Sequence, residues 1–314
     1  MYNPEKPYTK EILRLIRRTH DTPYVSVKDG LVMKKFSYSE LHHSDGVGTK
    51  GIYHWKQRSF HEFVLDALAM NLNDLAFCRA RPYAVIDHLL IPEDDHRAIV
   101  EIISHLSDEC LKRNISITGG ETAIHDNLRG MDMGMTMLGF VKNPKPNRLL
   151  SGDVLIGLGS SGLQSNGFTK VRELLGERLR PEFIVPASIY SETILDLDER
   201  YDIHGMMHIT GGAYTKLKPL LSSSDAMITN KHLLEPHSIF FEIYKQGVSD
   251  EDMYKTFNCG VGFVLGVGKD DAPRLVAEIN DSGKGFKADV IGELVPGNGR
   301  VVVQSKFSDK RIIY

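Results

Sequence analysis

The sequence predicts an α+β fold in two domains, and three observations carry that prediction. Two β segments, Pro23–Val27 and Leu31–Phe36, flank Lys28-Asp29-Gly30, and Asp-Gly between such runs marks a hairpin. Both halves of the 314 residues mix strand-like and helix-like runs with hairpin-like pairings, which favours α+β over a doubly wound parallel sheet. The polar run Lys142–Arg148 contains Pro144 and Pro146 and reads as a linker. The domains are therefore expected at 1–143 and 148–314.

The elements follow in order. Asp45–Lys50 reads as a loop, residues 60–78 as a helix, Ala84–Ile91 as a buried strand and Asp95–Arg113 as an amphipathic helix. Ile115–Thr118 is a short strand running into Gly119-Gly120-Glu121, and Met131–Val141 a longer one. Beyond the linker, Asp153–Leu158 is a strand and Ser160–Gly167 a Gly/Ser loop opening a helix. Further helices are expected near 187–198, 212–221 and 234–246, and strands at 260–267 and 299–304 flank a helix and the 287–294 segment. No internal repeat is present.

Composition narrows the function. Hydrophobic residues make up 41% and charged residues 25%, with a formal net charge of −3 and no basic stripe, which argues against a nucleic-acid partner. Three cysteines without a CxxC pair argue against a disulfide framework or zinc knuckle and fit a reducing cytoplasm. Met1–Lys10 is polar with no apolar signal region, and no stretch approaches the ~20 apolar residues that span a bilayer, so no membrane partner is expected.

The helix from Phe60 is apolar on nearly every face yet carries Asp66, Asn73 and Asp74. At ~100° per residue, Asn73 lies ~20° to one side of Asp66 and Asp74 ~80° to the other, so all three are expected on one side. Buried carboxylates are costly unless paired or bound to metal. In Asp45-Gly46-Val47-Gly48-Thr49-Lys50 the glycines allow close backbone approach and Lys50 can sit against phosphate, although the spacing is not that of a P-loop. Gly119-Gly120-Glu121 sets another acid after paired glycines. Asp45, Asp66, Asp74 and Glu121 form an oxygen-only set that suits Mg²⁺ with nucleotide phosphates, provided that they meet. In the second half, Ser160–Gly167 and His208-Ile209-Thr210-Gly211-Gly212 each precede a helix and suit anions, or act as ordinary caps. Together the loops imply a nucleotide and a phosphorylated substrate.

Six segments carry a family likeness: DGVGTK (45–50), MNLNDL (70–75), GGETA (119–123), GDVLIGLGSSGLQSNGF (152–168), HITGG (208–212) and MYKTFNCGVG (253–262). In order and spacing the chain resembles the AIR synthase family, and three of the motifs also suit the wider PurM-like superfamily. The resemblance implies ATP- and Mg²⁺-dependent closure of formylglycinamidine ribonucleotide to aminoimidazole ribonucleotide in purine biosynthesis. It also implies a homodimer whose N-terminal halves share a β-barrel, and a C-terminal α/β domain resembling a sandwich. By position it gives Asp45, Asp66, Asp74 and Glu121 to metal. Gly46, Gly48, Thr49, Asn73, Gly119 and Gly120, with Asp45, would attend the nucleotide. Ser161, Gly162 and Ser165 would hold a phosphate or the reacting group, and Thr210, Gly211, Gly212, Thr256, Phe257 and Asn258 would line the second-domain side. Lys50, Gln164, Asn166 and His125 are the catalytic candidates.

The chain departs from the family at three places. Gln164 stands where the family has His and does not titrate near neutrality, leaving His43 or His125 as substitutes. The family's N-terminal glycine-rich segment is missing, and its GAEP is Arg79-Ala80-Arg81-Pro82. A sibling phosphoryl-transfer enzyme, or a lapsed paralogue serving as a binding subunit, are the alternatives.

Overall fold

The computed structural model describes residues 6–314; residues 1–5, which belong to the first expected domain and to the polar Met1–Lys10 stretch, lie outside them. The chain divides into two compact units. The first runs to Leu75 and adds Arg79–Asn143 and Leu179–Ile189; the second comprises Ala76–Cys78, Pro144–Arg178 and Tyr190–Tyr314.

The first unit contains, in order, α1 (Thr9–Arg17), β1 (Val25–Lys28), β2 (Leu31–Lys34), β3 (Ser39–Gly46), α2 (Gly51–Gln57), α3 (Phe60–Phe77, its last residues excepted), β4 (Arg81–Ile91), α4 (His96–Lys112), β5 (Ser116–Ile124) and β6 (Asp132–Val141). The hairpin forms as expected: β1 and β2 pair antiparallel, and Asp29 and Gly30 both take positive φ (51° and 79°), as a tight turn between right-twisted strands requires. The remaining strands make a four-stranded sheet in the order β3-β6-β4-β5, with β4 and β5 parallel and the other pairs antiparallel.

Alternation along these strands decides what each face does. Val85, Leu89, Met133, Met135 and Met137 turn inward and join α3 (Phe63, Ala67, Leu68, Leu72), α4 (Ile99, Ile102, Leu106) and α1 (Ile12, Leu15) in one apolar core. Ile86 and His88 turn outward and are exposed. α4 starts where Asp95 accepts a hydrogen bond from the Ala98 N–H at 3.0 Å, a side-chain cap of the kind that sets a helix start. Past the end of α3, Arg79 occupies a left-handed position (φ 59°) that glycine fills more easily, so Arg in place of the family Gly falls at a helix terminus.

The second unit contains β7 (Val154–Gly159), α5 (Phe168–Leu175), α6 (Ser191–Asp198), β8 (Ile203–His208), β9 (Ser224–Ile228), α7 (Ser238–Lys245), α8 (Asp250–Thr256), β10 (Val261–Val267), α9 (Ala272–Asp281), β11 (Ala288–Pro296), β12 (Val301–Gln304) and β13 (Arg311–Ile313). Its sheet has the order β13-β12-β9-β11-β7-β10-β8, antiparallel except for β12 against β9. α6 and α9 pack with Ile156, Leu158, Phe263 and Leu265 in the core of this unit. Mixed sheets with hairpin pairings in both units make the fold α+β, as the sequence predicts.

Several local expectations need correction. Gly119-Gly120-Glu121 lies inside β5, not beyond it, and Asp45-Gly46 ends β3 while Gly48–Lys50 is a short 3-10 helix. The helix expected at 187–198 begins only at Ser191, because Leu179–Ile189 runs separately along the first unit. Residues 213–220 form a 3-10 helix rather than an α-helix, and Pro219, which lacks an N–H, lies within it. α1, β3, α2, β8, β9, α8 and β13 have no counterpart among the elements expected from sequence. Among the described residues no helix is long and apolar enough to cross a membrane.

Candidate active site

Of the predicted acids, Asp45 lies on the inner face of the first sheet, and Asp66 and Asp74 lie on α3. Register places Asp45, Met135, Asp87 and Gly120 in one row across β3, β6, β4 and β5. Paired residues share a face, so Asp45 and Asp87 point the same way, two strands apart. His43 sits two residues earlier on β3. Its Nε2 lies 3.3 Å from Asp74 Oδ2 and its Nδ1 3.1 Å from Asn71 Oδ1. Asn71 donates in turn to the Asp45 carbonyl at 3.2 Å and the Ala67 carbonyl at 3.0 Å. The Asp74 hydrogen bond raises the His43 pKa above its ordinary value, against the opposing effect of burial. Asp45, Asp74 and His43 thus gather where β3 meets α3.

Asp45 Oδ1 also accepts from the Gly46 N–H at 2.7 Å, and Asp132 Oδ1 takes the Gly48 N–H at 3.0 Å. Asp132 therefore shapes the 45–49 turn, a role that its position at the start of an apolar strand does not announce. Thr49 lies half-buried in the same turn.

Asp87 is the residue that sequence reasoning missed. It is 2% exposed, and neither carboxyl oxygen has a well-formed hydrogen bond. Burial pushes its pKa up to about 7; its own backbone N–H offsets this only in part, and Glu121 adds to it. Gly120 is required opposite it, since a Cβ there would sit 2.3 Å from Asp87 Oδ1. The available signal was a lone Asp, followed by His88, in the largely apolar run Tyr83–Ile91 that follows the arginine pair.

Three predicted residues do something other than expected. Lys50 is fully buried; its Nζ lies 2.6 Å from Asp66 Oδ2 and donates to the Val185 carbonyl at 2.6 Å. Asp66 Oδ2 also accepts from His54 Nε2 at 2.8 Å, and its Oδ1 from the Ala187 N–H at 2.8 Å. Burial alone would raise the Asp66 pKa, but Lys50 and His54 hold it below the usual carboxylate value. Asn73 donates to the Ser188 carbonyl at 2.9 Å. Asp66 and Asn73 thus face the 179–189 segment, while Asp74, ~80° round the helix from Asp66, faces β3. Asp66, expected as a metal ligand, is met here by three donors, Lys50 Nζ, His54 Nε2 and the Ala187 N–H.

Glu121 pairs in register with His88, on the outer face, so it does not join Asp45 and Asp74. Its Oε1 accepts from the Thr122 N–H at 3.1 Å. Among the described residues no group of three or more His, Cys, Asp or Glu side chains is placed to hold a metal ion, so the expected four-acid cluster does not form within one chain. His125 is exposed at the end of β5.

In the second unit the loops adjoin. A Cβ on Gly211 would lie 3.7 Å from Asn166 Oδ1, which puts 210–212 beside 160–167. Asn258 organises the first loop: its Nδ2 donates to the Gly162 carbonyl at 2.8 Å and its Oδ1 accepts from the Gly260 N–H at 2.9 Å. Gln164 is buried in a left-handed conformation (φ 58°) and donates to the Tyr190 hydroxyl at 2.9 Å, while its Oε1 lacks a partner. Tyr190 passes the bond on to the Gly159 carbonyl at 2.8 Å. Ser161, Ser165 and Thr256 are half-buried at the loop margins. Lys216, not anticipated, donates to Thr210 Oγ1 at 2.6 Å and brings a cation to the Thr210-Gly211-Gly212 turn.

Gly262 makes this packing possible, because a Cβ there would meet the Tyr190 hydroxyl oxygen at 2.0 Å and Gln164 Nε2 at 2.8 Å. Gly262→Ala is expected to cost about 1–3 kcal/mol by overpacking, read as a lowered melting temperature; an unchanged midpoint would contradict the contact.

A two-domain α+β scaffold, with acids on the inner face of one sheet and glycine-rich turns in the other unit, defines a class of proteins. Solved members of that class superpose along nearly the whole chain. The hydrogenase maturation protein HypE in complex with ATP covers 99% of this chain with a TM-score of 0.72 at 16% identity, over 95% of its own length. Thiamine-monophosphate kinase from Stenotrophomonas maltophilia covers 96%, with a TM-score of 0.67 at 17% identity, over 96% of its own length. Residues 30–141 match the family model of the AIR synthase related protein N-terminal domain, and residues 151–304 that of the C-terminal domain. The chain belongs to the AIR synthase family. Proteins named phosphoribosylformylglycinamidine cyclo-ligase are 34% identical to it in Methanocaldococcus jannaschii, over 86% of this chain and 84% of the relative, and 34% identical in Saccharolobus solfataricus, over 85% and 83%.

Proposed function

We propose that this protein is a phosphoribosylformylglycinamidine cyclo-ligase. It converts formylglycinamidine ribonucleotide and ATP to aminoimidazole ribonucleotide, ADP and phosphate. The carrying observation is identity of about one third spread along 86% of the chain to cyclo-ligases of comparable length. The sibling kinases and maturation proteins share the fold at 13–17% identity, a similarity that carries no activity by itself.

In the chemistry, the formamide oxygen attacks the γ-phosphorus of ATP and the bond to ADP breaks. The amidine nitrogen then adds to the activated carbon, loses a proton, and phosphate departs with the former formamide oxygen. The protein's contribution is positioning and charge neutralisation. The donor set fits Mg²⁺, since Asp45, Asp74 and the uncommitted oxygens of Asp87 are all hard oxygen ligands. No three of the described acids close on one ion by themselves, so these residues would contact an ion that arrives with the nucleotide phosphates and would supply charge neutralisation there. Glu121, on the outer face, would act from that side. Gly46, Gly48 and Thr49 let the backbone approach the nucleotide. Ser161, Gly162, Ser165 and Thr210–Gly212 hold a phosphate through N–H and hydroxyl groups, with Lys216 adding charge. Gln164 orients through Tyr190 and transfers no proton. His43, whose basicity Asp74 raises, is the titratable group beside the acids, whereas His125 stands exposed outside that cluster.

We also place the protein in the cytoplasm as a homodimer. The three free cysteines suit the first statement. For the second, the outer sheet face exposes Ile86 (45%), an apolar residue that a second copy would cover. ATP with Mg²⁺ is expected to raise the melting midpoint, by about 2.7 kcal/mol of stability at a hundred times Kd. A midpoint indifferent to ATP would favour the lapsed binding subunit.

A further inference from the structure

The Lys50–Asp66 pair is set apart by what it grips. Both side chains are fully buried, and each makes a hydrogen bond to the backbone of one short segment: Lys50 to the Val185 carbonyl, Asp66 to the Ala187 N–H. Asn73 takes the Ser188 carbonyl and Gln57 the Arg180 carbonyl at 3.3 Å, and the Tyr53 ring stands edge-on to Phe183 at 4.9 Å. The segment carries Pro181 and Pro186, which limit its own conformations and leave it few donors. It is anchored at intervals from 180 to 188 by side chains of Lys50, α2 and α3.

We propose that Lys50 and Asp66 are positioning residues that latch the 183–188 segment, and that through this latch they fix the 45–49 turn and α3 against each other. This inference rests on the cyclo-ligase reading for its catalytic consequence only. Lys50 ends the short helix following Asp45–Gly48, and Asp66 lies two turns before Asp74 on α3. Closing the pair therefore sets Asp45 relative to Asp74. A lysine spent on Asp66 and a carbonyl is a fastening, not a phosphate contact.

The charges make the test specific. Lys50→Met leaves Asp66 ionised without its cation, and Asp66→Asn leaves a buried cation without its anion; either half-broken pair is unfavourable. Lys50→Met combined with Asp66→Asn is neutral, and the amide introduced on α3 keeps an oxygen that accepts the Ala187 N–H. Hydrogen exchange over residues 179–189 and steady-state turnover are measured on the full chain for all four proteins. The expected result is loss of protection and at least a tenfold fall in kcat in each single variant, with KM for ATP changed little. The double variant recovers protection and comes within about threefold of the parent's kcat. If one single variant fails to fold, a folded and active double variant supports the latch equally. A Lys50→Met protein that keeps the segment protected but loses ATP affinity would overturn the proposal, as would a double variant no better than the single ones. Absence of turnover in the unsubstituted protein would overturn the reaction reading alone, since the exchange measurement still decides the latch.

Discussion

Asp74→Asn is expected to abolish ring closure and leave the fold intact. Asparagine keeps the shape and the oxygen that faces His43 Nε2 at 3.3 Å, so packing at the β3–α3 junction survives. The negative charge is lost, and with it a carboxylate ligand for nucleotide-bound Mg²⁺. Removing one such electrostatic contact costs on the order of 10²–10³ in kcat. Circular dichroism and turnover, measured together, check both halves of the prediction, and an Asp74→Asn enzyme with full activity would sink the metal assignment. A pH signature accompanies it. Because Asp74 raises the His43 pKa, the pair's contribution to stability is fully present below the unfolded histidine value, ~6.5. It is lost as pH rises through the higher folded value. The substituted protein should therefore fall short of the parent below about pH 6.5 and match it at alkaline pH.

Asp87→Asn is expected to cut turnover and, unusually for an active-site change, to stabilise the protein. A fully buried carboxyl with no well-formed hydrogen bond and a pKa of about 7 favours its neutral form. Its folded pKa lies above the unfolded one, so its contribution is best below ~4, declines as pH rises, and has reached its full penalty above about 7. Holding a carboxyl at a pKa of about 7 costs about 4 kcal/mol at pH 8. Asparagine removes that penalty while filling the same space. The melting midpoint at pH 8 should rise by several degrees, and the gain should vanish by about pH 4. Added Mg²⁺ should narrow the gap at pH 8 by stabilising the parent alone. A lower midpoint for Asp87→Asn at pH 8 would show that the carboxylate is satisfied and not held in reserve for a ligand.

The sequence and structure agree where local physics is sufficient. The 29–30 turn, the near-uniformly apolar α3, the amphipathic α4 and the apolar strands were all legible, because each rests on residues close in the chain. Short elements such as α1, α2 and β9 were not, since brief runs of mixed polarity bear no clear period. At the site the residue types were legible but their partners were not. Asp66 and Asp74 lie eight residues apart on one helix and look alike in sequence. Only tertiary structure shows that one faces Ala187 and the other His43. Glu121 was lost to the outer face by strand parity, which cannot be fixed while the GGE run is read as a loop. Asp87 was missed for the same reason in reverse: inside an apolar strand, one acid looks like a tolerated exception until its lack of partners is visible.

The most direct measurement is a coupled turnover assay. Purified protein, formylglycinamidine ribonucleotide, ATP and Mg²⁺ are mixed, and ADP and aminoimidazole ribonucleotide are followed together. Formation of both in equal amounts is the predicted result, and it would show that ring closure proceeds with Gln164 in place of histidine. ADP without the imidazole, or neither product, would contradict the cyclo-ligase assignment.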